Sequence, residues 1–277
     1  MWPVIHDFDF FGLLSEPWSL HTYGVLIATG FVVALKLAQR QARRENEDVE
    51  RVTDVGFYAL LMGLIGARVV YIFTMLPSYL RDPIQILTFW QGGLVWYGGF
   101  LAAAGFVAWY CRRHRLDFFK LADMLIPFVA LAHAFGRLGC LCAGCCYGKP
   151  TDLPWGVVFP NGSLVHAAHQ RADLVAFGEP ALPVHPTQLY EAGFELGMFW
   201  LLMILRPRKR FHGQLFLVWL ATYPVARALI ELARGDEERG VWLGLSTSQY
   251  FSVAVAILAV GLYWHLRARR AAPPAAA

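Results

Sequence analysis

The sequence predicts an all-α integral membrane protein, a bundle of about seven transmembrane helices with a small periplasmic head. Hydrophobic residues make up 57% of the 277-residue chain and charged residues only 16%, where soluble domains carry about 25% charge. Mean hydropathy is +0.44. The apolar residues collect into runs long enough to cross a hydrocarbon core of about 30 Å, without the period-two alternation of barrel strands. The basic residues form short clusters between those runs. The net charge of +4 therefore reflects membrane topology, and no nucleic-acid partner is expected. Ten Trp and eleven Tyr suit aromatic belts at two interfaces with the lipid bilayer.

Residues 1–18 carry acidic and aromatic side chains and no basic start followed by an apolar core, so no cleavable signal peptide is expected. The spans fall at about 19–38, 54–76, 94–111, 118–139, 187–205, 213–233 and 247–266. Arg40, Arg43, Arg44 and Arg51 follow the first span. Arg112, Arg113, Arg115 and Lys120 follow the third, and Arg206, Arg208, Lys209 and Arg210 the fifth. Arg267, Arg269 and Arg270 lie in the tail. These clusters alternate with basic-poor segments, which places them all on the cytoplasmic side of the membrane, with the N-terminus outside and the C-terminus cytoplasmic. The whole chain, 1–277, reads as one transmembrane domain. Residues 141–186 form its only loop large enough for a head, 77–93 reads as an interfacial amphipathic piece, and 271–277 reads as a disordered tail.

Charged residues inside spans are costly, so each needs a named partner. In span six Tyr223, Arg227, Glu231 and Arg234 recur at intervals of four, four and three, along one helical face. Two readings stand: an internal Arg227–Glu231 pair with Arg234 snorkelling, or a cavity lining for an anionic headgroup whose phosphate suits the arginine fork. Arg137 ends span four, where it either snorkels or meets an anion. Arg68 sits mid-span in Gly66-Ala67-Arg68, a small-residue context that turns it toward protein. Arginines from three spans together suggest a phosphate-bearing substrate. Tyr97-Gly98-Gly99 opens span three with a permissive backbone beside aromatic rings. His185-Pro186-Thr187-Gln188-Leu189-Tyr190-Glu191 opens span five, with Thr187 as a candidate cap and Tyr190 and Glu191 in the first turns.

Taken in order, these pieces resemble the prolipoprotein diacylglyceryl transferases of the bacterial inner membrane. The resemblance rests on Tyr23-Gly24, Gly66-Ala67-Arg68, Trp90-Gln91-Gly92-Gly93, Tyr97-Gly98-Gly99, Gly136-Arg137-Leu138-Gly139, Tyr147-Gly148, the run from His185 to Glu191, the Tyr223-to-Arg234 face, and Leu245-Ser246 with Gln249. It implies transfer of the diacylglyceryl group of phosphatidylglycerol to the thiol of a lipobox cysteine in a prolipoprotein signal peptide. A thioether forms and glycerol phosphate leaves. It implies Arg137 and Arg227, with Tyr97, as catalytic residues. Tyr23, Arg68, Gly98, Gly99, Gly148, His185, Gln188, Tyr190, Glu191, Tyr223, Glu231 and Arg234 would join Arg137 in binding phosphatidylglycerol. No metal or organic cofactor is implied.

Tyr97 stands where the family usually has His. The family's Gly-Asn-xx-Asn-Gly-Glu-xx-Gly reads here Gly139-Cys140-Leu141-Cys142-Ala143-Gly144-Cys145-Cys146-Tyr147-Gly148. The same departures suit a diverged member that binds phospholipid or senses redox state, or one that uses another acceptor. Five cysteines are too few and too clustered for a disulfide framework. The four in this loop admit a Cys140–Cys145 or Cys142–Cys146 disulfide, free thiols, or a metal site with His133, His166 or His169.

Overall fold

The computed structural model describes residues 4–8, 18–81, 93, 95–235, 241–242 and 245–271. Its helices are α1 (Thr22–Arg44), α2 (Val49–Thr74), α3 (Leu76–Arg81), α4 (Trp96–Arg113), α5 (Phe118–Ala143), α6 (Leu164–Arg171), α7 (Thr187–Leu205), α8 (Gln214–Leu232) and α9 (Thr247–Ala271). Two short antiparallel strand pairs accompany them, β1 (Val4–Phe8) with β2 (Trp18–His21) and β3 (Val241–Trp242) with β4 (Leu245–Ser246). Each expected span has its helix, and the fifth matches at both ends. Most of segment 77–93 and the tail from 272 lie outside the described residues.

Five of these helices, α1, α2, α5, α8 and α9, are long and apolar enough to cross a membrane among the described residues. The count of seven is therefore not reached on apolarity. In α7 the shortfall comes from Gln188, Glu191 and Glu195, three polar residues that are fully or nearly fully buried. Leu61, Leu64 and Phe73 on α2, Leu101 and Trp109 on α4, Leu229 and Leu232 on α8, and Ile257 and Leu258 on α9 are all exposed. Apolar surface on that scale belongs in lipid rather than water. The protein is an integral membrane protein. The most buried of these five is α5, at 44% where the other four are 6–17%.

Contacts divide the chain into two units, residues 1–36 with 126–277, and residues 37–125. In the smaller unit the turns before α2 and before α5 share a design. A left-handed residue, Asn46 or Arg115, each at φ 55°, turns the chain. An aspartate then caps the next helix: Asp48 accepts from Glu50 and Arg51 N–H, and Asp117 from Phe119 and Lys120 N–H. Lys120 and Glu47 pair at 2.5 Å and tie the turns together. Between α2 and α4 the backbones nearly touch. A Cβ on Gly66 would lie 2.6 Å from Gly98 O, and one on Gly99 would lie 2.9 Å from Gly63 O. Gly98 and Gly99 thus serve close helix packing, the small-residue device of membrane bundles.

In the larger unit, Ile126 and Ala130 of α5, Met198 and Leu202 of α7 and Leu215 of α8 form a buried cluster. Residues 144–186 hold a core of their own, with Tyr147, Phe159, Val165, Ala181 and Val184 buried together. Ser163 caps α6 by accepting from His166 N–H. Gly148 N–H donates to His185 O and Lys149 N–H to Ala233 O, fastening this segment between the start of α7 and the end of α8. A Cβ on Gly148 would fall 2.4 Å from His185 Cβ, so only glycine fits that crossing. Ser246 and Gln249 form a reciprocal capping box at the start of α9.

Gly98→Val should clash with the α2 backbone and destabilise the detergent-solubilised chain by about 1–3 kcal/mol. Gly105→Ala, with open space around it, should leave thermal unfolding unchanged or raise its midpoint. If the two variants unfold alike, α2 and α4 do not pack as described.

Candidate active site

Three helices of the larger unit each carry polar residues four apart, and a four-residue step keeps them on one face. The stripes are His133 and Arg137 on α5, Glu191 and Glu195 on α7, and Trp219, Tyr223, Arg227 and Glu231 on α8. The fold turns them toward one another. Glu191 is 2% exposed and lies at the centre. Arg137 Nη2 forms a tight ion pair with Glu191 Oε2. Tyr223 Oη donates to Glu191 Oε1 at 3.0 Å, and His133 Nε2 lies 3.6 Å from the same oxygen. The other His133 nitrogen, Nδ1, is 2.9 Å from Glu195 Oε1, and Trp219 Nε1 donates to Glu195 Oε2 at 3.0 Å. Trp219 and Tyr223 stack with centroids 4.9 Å apart and planes within 2°.

A second cluster continues along α8. Arg227 pairs with Glu231 at 2.5 Å, and Arg234 Nε lies 3.9 Å from the same carboxylate oxygen. Of the two readings of this face, the internal pair is present, but Arg234 is 7% exposed and does not snorkel. Backbone pairing with Gly148 holds Arg234 in place. Nor does Arg137 snorkel, since its side chain is 12% exposed and bound to Glu191. Arg137 Nε is buried without a hydrogen-bond partner among the described residues. Such a donor is poised for an acceptor from outside.

The end of α5 departs from the expected boundary. The helix runs on to Ala143 and closes in a Schellman turn, with Gly144 at φ 71°. Gly144 N–H donates to Leu141 O and Cys145 N–H to Cys140 O. This motif brings the side chains of its third-from-last and second-following positions together, and those positions are Cys140 and Cys145. Cys146 is next, itself left-handed at φ 59°. Thr187 and Gln188, both fully buried, hold the turn from α7. Thr187 Oγ1 donates to Cys146 O at 2.6 Å and Gln188 Nε2 to Cys145 O at 2.7 Å. Thr187 therefore anchors the cysteine turn instead of capping its own helix, whose N-cap is Pro186.

The sulfurs of Cys140, Cys145 and Cys146 all lie within 4.8 Å of one another, and Cys142 stands apart from them. All five cysteines are free thiols, so neither expected disulfide is formed. Arg137 Nη1 is 3.9 Å from Cys140 Sγ. Hydrogen bonds from Cys140 and Cys145, with Arg137 and Arg234 close by, hold the Cys146 thiol well below its ordinary value. Cys145 is pushed up by its bonding to Cys140 and Cys146.

The remaining expected site residues are placed as follows. Tyr23 of α1 packs against Gly139, whose added Cβ would meet its ring at 3.0 Å, and lies within electrostatic reach of the three cysteines and Arg137. His185 Nδ1 is 3.1 Å from Tyr190 Oη, which also accepts from Trp155 at 2.8 Å. Arg68, Tyr97, Gly98 and Gly99 belong to the smaller unit. There Arg68 donates to Gly93 O and lies over the rings of Tyr71 and Tyr79, and Tyr97 is half exposed. His166 bonds Gly162 N–H and Glu179 O, and His169 bonds Leu182 N–H, so neither joins the cysteines. His133 is likewise engaged by carboxylates. Glu195 and Trp219 were missed as site residues in the sequence, although each sits four residues from one that was identified.

Clustered guanidiniums can stabilise an anion. Fold and site thus define an integral membrane protein built around an arginine–carboxylate centre. The sequence model of the prolipoprotein diacylglyceryl transferases matches residues 11–265. The chain belongs to that family. It is 31% identical to the phosphatidylglycerol–prolipoprotein diacylglyceryl transferase of Clostridium tetani, over 95% of this chain and 97% of that one. The enzyme of the same name from Stenotrophomonas maltophilia is 34% identical over 96% and 94%. That from Bordetella parapertussis is 32% identical over 89% and 91%.

The lowered value favours the Cys146 thiolate where an ordinary thiol near about 8.5 is mostly protonated. Iodoacetamide should therefore modify Cys146 before Cys145 in reduced, chelator-washed protein. The gap should persist as pH rises through the ordinary thiol range, because Cys145 is pushed above it. Mass-spectrometric site mapping reads it directly.

Proposed function

We propose that the chain transfers the diacylglyceryl group of phosphatidylglycerol to the lipobox cysteine of prolipoproteins, the first step of lipoprotein maturation. The observation that carries this is Arg137, buried against Glu191 with its Nε unpartnered among the described residues, in the same unit as the Arg227–Glu231–Arg234 cluster. Leaving aside Glu195, held by His133 and Trp219, three guanidiniums face two carboxylates. That excess of positive charge suits a phosphodiester headgroup.

The reaction forms a bond from the acceptor sulfur to a glyceryl carbon and breaks that carbon's bond to the phosphate oxygen. The electron pair leaves on glycerol phosphate. Negative charge on the phosphate grows as the bond breaks, so fixed guanidiniums stabilise the transition state more than the bound lipid. We assign Arg137 and Arg227 to that phosphate. Glu231 and Arg234 set the angle of Arg227, and Glu191 sets that of Arg137. Tyr23, Tyr223 and the His185–Tyr190 pair line the lipid side. The partners are phosphatidylglycerol in the bilayer and the signal peptide of a prolipoprotein. The site faces the periplasm from the inner membrane, with the C-terminus in the cytoplasm.

In a strain depleted of its own transferase, the chain should restore growth and thioether formation on a labelled prolipoprotein. Arg137→Ala and Arg227→Ala should each lower lipidation by roughly 100-fold or more, as loss of one transition-state donor does elsewhere. Protein present in the membrane that neither rescues nor lipidates would exclude the reading. Alkaline phosphatase fused after Ala271 should be inactive, and fused within residues 173–178 it should be active. The reverse pattern would invert the topology.

A further inference from the structure

We propose that Cys140, Cys145 and Cys146 form a three-thiolate site for zinc(II), with the fourth position open to the thiol of the acceptor. The proposal deepens the transfer function above and rests on it for the acceptor's identity. The metal site itself stands on geometry.

Zinc–thiolate bonds are about 2.3 Å, which places sulfurs around a tetrahedral ion roughly 3.8 Å apart. The three sulfurs already lie within 4.8 Å of one another, so small rotations of the side chains would close them on a cation. Any disulfide would use two of them at about 2.05 Å and strand the third. Sulfur ligands select thiophilic ions, and zinc takes four ligands where three are supplied.

The triad is also built rather than incidental. The Schellman bond from Cys145 N–H to Cys140 O sets one pair of side chains. The left-handed backbone at Cys146 turns the third residue at some cost in strain. Thr187 and Gln188, with no exposed surface, spend their hydrogen bonds on the carbonyls of Cys146 and Cys145. Arg137, 3.9 Å from Cys140 Sγ, and Arg234 offset the negative charge that thiolates would bring. Cys140 is buried while Cys145 and Cys146 are partly exposed, so one side of the triad admits an outside ligand.

The chemistry follows. On entering the fourth position the acceptor thiol loses its proton to solvent. Its sulfur lone pair then forms the bond to the glyceryl carbon, and the carbon–oxygen pair departs on the phosphate beside Arg137. A thiolate held this way is ready at neutral pH without a strong base.

The test uses the full chain in detergent, reduced and stripped with chelator, and titrated with cobalt(II) as a spectroscopic stand-in for zinc(II). One equivalent should bind with sulfur-to-cobalt charge-transfer absorption. Cys140→Ser, Cys145→Ser and Cys146→Ser should each weaken it, and Cys142→Ser should leave it intact. A lipobox peptide with one cysteine should raise the absorption by about a third, as a fourth thiolate joins three, and its serine analogue should not. Zinc(II) should protect the three thiols of the unaltered chain from alkylation while Cys142 still reacts, which keeps the test decisive should a variant misfold. Absence of uptake and protection, or uptake indifferent to all three serine variants, would overturn the site. Uptake without a response to the cysteine peptide would overturn the open position. Metal uptake needs no lipid, so it can succeed or fail independently of the transfer assay.

Discussion

The buried carboxylate of Glu191 is the constraint on which the membrane-embedded centre depends. An isolated carboxylate inside a bundle would be driven to take up a proton. Glu191 is surrounded by the Arg137 guanidinium, the Tyr223 hydroxyl and the His133 ring, from two other helices. Removing one partner from such a buried group costs about 3–5 kcal/mol, so the three helices are held in register by their polar stripes as well as by the apolar cluster around Leu202 and Leu215. In lipid, where burying apolar side chains drives helix association little, that register matters more than it would in water.

The same polar chemistry shapes the end of α5. The helix terminus must satisfy its last carbonyls, and the Schellman turn at Gly144 does so while bringing Cys145 back over Cys140. Thr187 and Gln188 begin α7 a few residues before Glu191, so one helix start both fixes the thiol turn and delivers the central carboxylate. The arginine centre and the thiols are thereby held by a common element. A change in α7 would move both.

Much of this was legible in the chain. The apolar runs located every long helix because a hydrocarbon core demands about 20 residues of helix whatever the neighbours do. The four-residue spacing in α8 disclosed a polar face, since helical geometry alone places such residues together. What escaped were partners on other helices. Glu195 stands within an apolar run, and only the packing of α5 and α8 brings His133 and Trp219 onto it. Thr187 suited a cap by type and position, yet its hydroxyl reaches across to Cys146. Gly98 and Gly99 suited a ligand by their freedom, yet the α2 backbone occupies the space beside them.

Sequence by itself determined the membrane class, the helix order and the residues able to carry charge, because these follow from hydropathy, period and residue type. Only the tertiary structure decided which charges meet. It set Arg137 on Glu191 rather than at the interface, and it gathered three of the four loop cysteines while leaving Cys142 apart. Spacing along a chain specifies a face, but not what that face meets. The packing of α5, α7 and α8 supplies the opposing groups.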